Sequence, residues 1–458
     1  MSERQHDLGR TPIEPEALPG GLRLRSATLA DVEQIADLSA VHHVHDGDPP
    51  DEDIRVFVRE AMARPGPQTS VADWLLIDDP ATGEIAAKLL MLSHRWRYDG
   101  VPLGVGRVEY VTTSPAYRGR GLMTVLMDRY HAISGARGQA VQVISGIFNY
   151  YRRFGYEYAL PKAPYRELLR DRLPPAGPDA GLRFRRATAA DISLLLELTR
   201  VGNRRWGVTS DVDAHDWRHE LEGMTEANAW RPIVTIVEEA DGRPVGAASS
   251  LGRLIQSSLT SEWCELAEGV SWGRVGPALL RHLDAVGTEL DERGAYFHIG
   301  PSERVFTRHA LALGDEHPLV DLLADRLTPM RSRPALYVRV ADVPALLRTI
   351  APALERRLAA SPEHAGHTGD LRLSFYGDGV TLRLENGSFV EAVPWTGLRT
   401  GGNDALFPGL VFLQLLFGHR SMAELEHAYP DCRALSDEAF ALLGTLFPKR
   451  PSWVWPFF

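Results

Sequence analysis

The sequence predicts an α/β protein built from two copies of one α/β unit, followed by a separate α+β unit. Three observations carry this reading. A twelve-residue block occurs twice, each copy is followed by a strand–turn–strand pattern, and the last third of the chain shows no trace of the repeat. The blocks are GLRLRSATLADV (21–32) and GLRFRRATAADI (181–192), identical at eight of twelve positions and 160 residues apart. Duplication at a fixed spacing points to two copies of one folding unit.

Each element follows from local pattern. Leu22 and Leu24, like Leu182 and Phe184, alternate as in a short strand with one buried face. Thr28 and Thr188 then open a helix, with Asp31 and Asp191 in the first turn, where the helix dipole favours an acid. WLLI (74–77) before DDPATGEIAAKLL, and IVTIV (233–237) before EEADGRPVGAASS, each read as strand, Gly-containing turn and strand. The first copy continues with a strand at Val108–Thr113, a helix at Leu122–Ala132 and a strand at Ala140–Ile144.

After Arg331 the pattern changes. ALYVRVADVPA (335–345) is a strand entering a helix, and residues 371–394 alternate around turns at Gly377-Asp378-Gly379 and Asn386-Gly387. Residues 408–431 read as one helix rich in large apolar side chains. Proline-rich stretches at 161–178 and 328–334 mark the joins. The expected division is a flexible tail at 1–20, a first unit at 21–162, a second at 163–332 and a third at 333–458.

Composition narrows the function. A chain of 458 residues suits three domains, and 44% apolar with 24% charged residues is ordinary globular usage. A net charge of −10 argues against a general nucleic-acid binder. No apolar run approaches the about 18 residues of a membrane span, and the N-terminus lacks the apolar core of a secretory signal. Two cysteines, Cys264 and Cys432, suit a reduced, cytoplasmic protein. The absence of CxxC, HExxH and Walker motifs removes structural zinc, zincin and P-loop chemistry, and no metal is expected.

The most specific segment is RVEYVTTSPAYRGRGLM (107–123). A strand ends at Ser114-Pro115, and Arg118-Gly119-Arg120-Gly121 runs straight into a helix. Unpaired N–H groups at a helix N-terminus, two arginines and two glycines make a phosphate cradle. The second segment is NYYRRFGYEY (149–158) with four tyrosines, and a tyrosine hydroxyl can serve as general acid toward a thiolate.

Together these segments resemble the GNAT N-acetyltransferase superfamily, whose signature at the acetyl-CoA pyrophosphate reads here Arg118-Gly119-Arg120-Gly121-Leu122-Met123. Met123 replaces the usual small residue, as in the Eis-like branch, which joins two GNAT modules to a sterol-carrier-like domain. The duplication, the domain order and the Y-x-R-F-G-Y segment resemble that branch, which implies tandem GNAT folds, each a mixed twisted sheet flanked by helices. The resemblance implies that Val111 and Thr113 face the pantetheine arm and thioester, and that the amides of Arg118, Gly119, Arg120, Gly121, Leu122 and Met123 hold the pyrophosphate. It further implies Tyr151 as general acid for the departing thiolate and the main-chain carboxylate of Phe458 as acceptor of the amine proton. A tail carrying Trp453, Trp455, Phe457 and Phe458 is expected to bury its aromatic rings.

The second copy lacks the cradle. Over EGVSWGRVGPALL (268–280), Gly273 stands for Arg118 and Pro277 for Leu122, which removes one donor, and no tyrosine counterpart follows. One acetyl-CoA site per chain is therefore expected. His42, His43 and His45 beside the acidic stretch 46–53 read as a solvated loop or as an acidic lip for a cationic amine, and the apolar helix at Leu410–Phe417 as core or as the lining of a lipid groove. The expected activity is acetyl-CoA-dependent N-acetyl transfer to a small-molecule primary amine, by direct attack in a ternary complex. The rival is a non-catalytic acyl-CoA- or lipid-binding protein. The resemblance also implies a homo-oligomer, possibly a hexamer; the sequence does not identify the amine.

Overall fold

The structure, a computed structural model, describes residues 10–44, 49–162, 165–175, 181–297, 304–329, 335–395 and 401–455. The duplication is visible down to single ion pairs. Arg25 grips Asp31 through two hydrogen bonds (2.8 and 2.7 Å), and Arg185 grips Asp191 at the same two distances. Thr28 and Thr188 each form a capping box with that aspartate. The shared residues therefore fix the same strand-to-helix corner twice.

The first module contains β1 (Glu16–Ala17), β2 (Arg23–Ser26), α1 (Val32–His42), α2 (Glu52–Ala63), β3 (Trp74–Asp79), β4 (Glu84–Tyr98), β5 (Val101–Thr113), α3 (Leu122–Ala136), β6 (Val141–Ile144) and β7 (Glu157–Pro161). β1 to β5 pair antiparallel in chain order, and β6 joins β5 in parallel. The second module contains β8 (Arg166–Leu169), β9 (Arg183–Arg186), α4 (Ile192–Asn203), β10 (Val208–Ser210), α5 (Ala214–Arg218), β11 (Pro232–Glu238), β12 (Pro244–Leu251), β13 (Ser258–Leu266), α6 (Trp272–Glu292), β14 (Arg308–Leu311) and α7 (Pro318–Leu322). Its sheet runs β8-β14-β13-β12-β11-β9. The third unit supplies β15 (Ala335–Val340), α8 (Val343–Ala360), β16 (Gly369–Ser374), β17 (Gly379–Glu385), β18 (Ser388–Pro394), β19 (Ala405–Leu406), α9 (Phe412–Leu416), α10 (Met422–Ala428), β20 (Arg433–Ala434) and α11 (Asp437–Leu446).

The sheets do not respect the expected divisions. β15 enters the first sheet between β6 and β7, pairing antiparallel with both. β10 of the second module pairs with the far end of β4. β8, inside the proline-rich join, forms the edge of the second sheet. A common core seals this exchange, uniting Tyr98, Leu103 and Val143 of the first sheet with Leu346, Leu371 and Phe412 of the third unit. The Tyr98 hydroxyl donates to the Leu416 carbonyl at 2.6 Å across the same seam.

Two expectations change. Residues 10–17 of the expected tail are docked: β1 pairs with β2, and Arg10 donates to the Pro67 and Thr69 carbonyls at 2.7 and 3.0 Å. The single helix read over 408–431 is broken into α9 and α10. Gly418 takes φ +66 between them, and a side chain there would meet backbone atoms of Pro448 and Arg450 at 3.0 Å. All five residues of α9 are buried core rather than lipid-groove lining. Both cysteines are buried and free. No helix among the described residues is long and apolar enough to cross a membrane.

Candidate active site

β5 and β6 pair only from Val105–Val141 to Arg107–Val143, after which β5 runs on to Thr113 without its neighbour. The resulting gap is a groove of about 610 Å³. A bulge sharpens it. Leu90 pairs with Glu109 but Lys88 with Thr112, so β5 carries one residue more than β4 across that interval. Tyr110 absorbs the extra length at φ +50, a left-handed conformation that costs a non-glycine residue about 1–2 kcal/mol. Its ring is held by His43, Phe57 and Trp74, with centroids 5.2, 5.4 and 5.9 Å away. Its carbonyl accepts a 2.9 Å hydrogen bond from the Lys88 ammonium.

Lys88 has no exposed surface, and among the described residues no carboxylate pairs with it. Its ammonium lies 5.4 and 5.7 Å from the Trp74 and Tyr110 rings. Burial alone pushes its pKa down to about 7. Neither Lys88 nor Tyr110 was singled out from sequence. The one available signal was a lone lysine inside the apolar run IAAKLLML.

The expected cradle loop is shaped by its glycines. Gly119 and Gly121 take φ +78 and +76, and a side chain at either would meet nothing within 4 Å, so both face open space. α3 starts at Leu122. The Arg118 amide is already bonded to the Pro115 carbonyl at 3.3 Å. Among the described residues, the amides of Gly119, Arg120, Gly121, Leu122 and Met123 have no backbone acceptor, so they and not Arg118 are the free donors. Arg120 stacks on Tyr117 at 4.9 Å, which fixes the loop from behind. Val111, Thr113 and the whole run Arg118–Met123 line the groove, as do Tyr151 and His42.

Tyr151 sits opposite β5 on a short 3-10 turn, Tyr150–Phe154. It is 4% exposed, its ring packed among Tyr150, Tyr156 and Tyr337. Gly146 makes room: a side chain there would lie 2.5 Å from the ring. Burial first, then the nearby Glu109 carboxylate, holds the phenol well above its ordinary pKa, so it stays protonated and keeps a proton to donate. Glu109 is anchored by Arg107 at 2.6 Å and accepts from the Ser145 hydroxyl at 3.3 Å.

Beyond Tyr110 lies a second space, a cavity of about 470 Å³ walled by all three units. Phe57 lines this cavity, stacking on Tyr110 from one side and meeting Trp230 at 5.2 Å on the other. The tail reaches this cavity. Trp453, Val454 and Trp455 are buried and line it, and Trp455 meets Trp217 at 5.0 Å and stacks on Trp263 at 5.7 Å. Phe458 itself lies outside the described residues, as do His45, Asp46 and Asp48 of the expected acidic lip. His43 of that lip bonds the Ser39 carbonyl through Nδ1 at 3.0 Å, and desolvation by its neighbours lowers its pKa to about 4.

The second module is closed where the first is open. Counting from the pairs Met91–Val108 and Ser250–Ser261, Cys264 holds the place of Val111. The Cys264 carbonyl is bonded to His317 Nε2 at 2.8 Å, and α7 packs behind it on α6, where Gly276 lies against Leu319 and Leu322. The expected reason for the missing cradle needs correction. α6 begins at Trp272, so Pro277 lies inside the helix rather than at its first position. The cradle is missing because only residues 267–271 separate β13 from α6, against 114–121 in the first module.

Known proteins share this architecture. Residues 23–159 match the family model described as an acetyltransferase (GNAT) domain. No curated protein matches the chain by sequence. A GCN5-related N-acetyltransferase from Kribbella flavida superposes with a TM-score of 0.64 at 18% identity, covering 95% of this chain and 100% of that one. One from Anabaena variabilis gives 0.63 at 14%, covering 94% and 99%. Eis1 from Mycobacterium abscessus gives 0.56 at 16%, covering 96% and 98%. At these identities the likeness is one of fold.

Proposed function

With residues 23–159 a GNAT acetyltransferase domain, we propose that the protein transfers the acetyl group of acetyl-CoA to a primary amine by direct attack in a ternary complex. The observation that carries the proposal is a single groove uniting the free cradle amides, the bulged strand and the Tyr151 hydroxyl. The groove fits the co-substrate. Open backbone N–H groups at the α3 N-terminus suit a pyrophosphate, and the unpaired edge of β5 suits the pantetheine amides.

The residues divide the work. The cradle amides fix the anionic end, and the backbone at Val111 is turned by the bulge toward the position of the thioester carbonyl, the role of an oxyanion donor. Lys88 holds that turn by binding the Tyr110 carbonyl. Tyr151, kept protonated by burial, donates to the leaving sulfur. The proton acceptor remains the Phe458 carboxylate, a reading supported by the burial of Trp453–Trp455 in the wall of the neighbouring cavity. Bringing both substrates to one strand supplies the proximity advantage.

Calorimetric titration with acetyl-CoA, followed by amine-dependent thiol release, tests the reading. One site per chain, lost in Arg118→Glu, with thiol release on adding an amine, is the expected result. Binding without release from any amine would leave a non-catalytic acyl-CoA binder, and no binding would remove the proposal.

A further inference from the structure

We infer that the cavity between the two modules is an acceptor subsite for an amine with an apolar body and a second cationic nitrogen, the second nitrogen seated on Glu220 and Glu262. This rests on the acetyl-transfer reading of the groove and adds the chemistry of the acceptor.

Glu220 is the first observation. It stands on the π-helical turn His219–Gly223 that continues α5, and it lines the cavity while only 7% exposed. Among the described residues no hydrogen bond or ion pair reaches its carboxyl. A buried carboxyl without a partner is costly to ionise, and burial with Glu262 and Asp216 nearby holds its pKa well above the ordinary range. A cation arriving in the cavity removes that penalty.

Glu262 is the second. By the same count along β5 and β13 it holds the place of Glu109. Glu109 is neutralised by Arg107, whereas Thr260 occupies the arginine's place in the second module. The register slips here too: Ser249 pairs with Trp263 and Ser250 with Ser261, which leaves Glu262 unpaired on β13 and lining the cavity. Among the described residues only Trp455 hydrogen-bonds to it, and burial raises its pKa to about 7.

The other charged groups facing the cavity are engaged elsewhere. Arg64 pairs with Glu60 at 3.5 Å, and Glu60 also accepts from Thr225 and Asn228. Lys162 has the Glu109 carboxylate as its favourable neighbour. His219 is wedged against Gly66 and Gly223, with its pKa lowered by burial. The walls are aromatic (Phe57, Trp230, Phe297, Trp453, Trp455), surfaces that suit an apolar body and the face of a cation. Of the polar wall groups, Gln68 donates to Asp216 at 3.2 Å and Asn228 to Glu60 at 2.8 Å, so a polyhydroxylated acceptor finds few partners beyond the exposed Gln256.

The test compares p-xylylenediamine and 1,8-diaminooctane with benzylamine and octylamine, reading affinity by calorimetry and by the emission of the wall tryptophans, with acetyl-CoA affinity measured on the same samples. The diamines are expected to bind at least about tenfold more tightly than their monoamines, as charge-assisted contacts to two carboxylates should give. Glu220→Gln and Glu262→Gln should each reduce that preference while leaving acetyl-CoA affinity unchanged. Equal binding of diamine and monoamine to the unaltered protein would overturn the inference, and that comparison needs no variant to fold. A diamine preference that survives both substitutions would overturn it as well. If acetyl-CoA fails to bind while the diamine preference stands, the transfer reading fails and the cation subsite remains.

Discussion

The two modules carry the same splayed strand pair and treat the opening differently. In the first, β5 leaves β6 after Arg107, and the exposed strand edge faces the cradle loop and Tyr151. In the second, β13 leaves β14 after Ser261, but His317 returns to bond the Cys264 carbonyl and α7 fills the space. Five linking residues, 267–271, replace the loop of 114–121. A duplicated fold thus becomes one open site and one plugged site through a shorter loop and an inserted histidine. The fold needs only the sheet; the chemistry needs the gap.

The largest effect that would sharpen this comparison comes from the open site. Tyr151→Phe should lower acetyl transfer by about 10²-fold or more, as for a lost general acid, with acetyl-CoA affinity retained. Wild-type turnover in that variant would remove Tyr151 from the chemistry.

Lys88 tests the bulge, since Ala247 holds its place in the second module. Folded, Lys88 loses its proton near pH 7; unfolded, it keeps it to 10.5. Between these values the unfolded chain binds more protons, so stability should rise with pH there by up to about 1.4 kcal/mol per unit. Below about pH 7 both states are charged and the burial penalty is complete. Denaturant midpoints across pH 7 to 10 should show this rise in the unaltered protein and not in Lys88→Met. Parallel profiles would show that Lys88 does not titrate in that window.

His317→Ala pulls the plug. It should cost about 1–3 kcal/mol of stability for an abandoned buried carbonyl, while acetyl-CoA binding stays at one site per chain because the cradle loop is still too short. A second binding site in this variant would break the comparison, since the plug alone would then account for it. The smallest effect compares two left-handed glycines, Gly121 and Gly269, at φ +76 and +81. Gly121→Ala should weaken acetyl-CoA by about fivefold as the loop relaxes from its strained turn. Gly269→Ala should leave that affinity untouched.

What the sequence made legible was local and repeated. The twelve-residue block fixed both capping corners, and the glycines of RGRG marked a loop in which Gly119 and Gly121 take left-handed conformations. Three things were not legible, each for a physical reason. Lys88 gives no local sign that its strand is buried on both faces. Glu220 and Glu262 meet only because a π-helical turn and a bulge from distant segments face one cavity. Pro277 was misplaced because the shortened loop shifts the start of α6 to Trp272.

The insertion of β15 between β6 and β7 has a consequence for biosynthesis. β7 ends at Pro161 and β15 begins at Ala335, so the first sheet stays divided until the ribosome has made most of the chain. Until then β6 and β7 each offer an unpaired edge, the feature by which nascent strands find wrong partners. The candidate groove opens beside β6, so the domain proposed to carry the chemistry cannot complete its sheet until β15 has been made. A chain cut after the first module would keep every groove residue from Val111 to Tyr151 and lack the strand that closes the sheet beneath them.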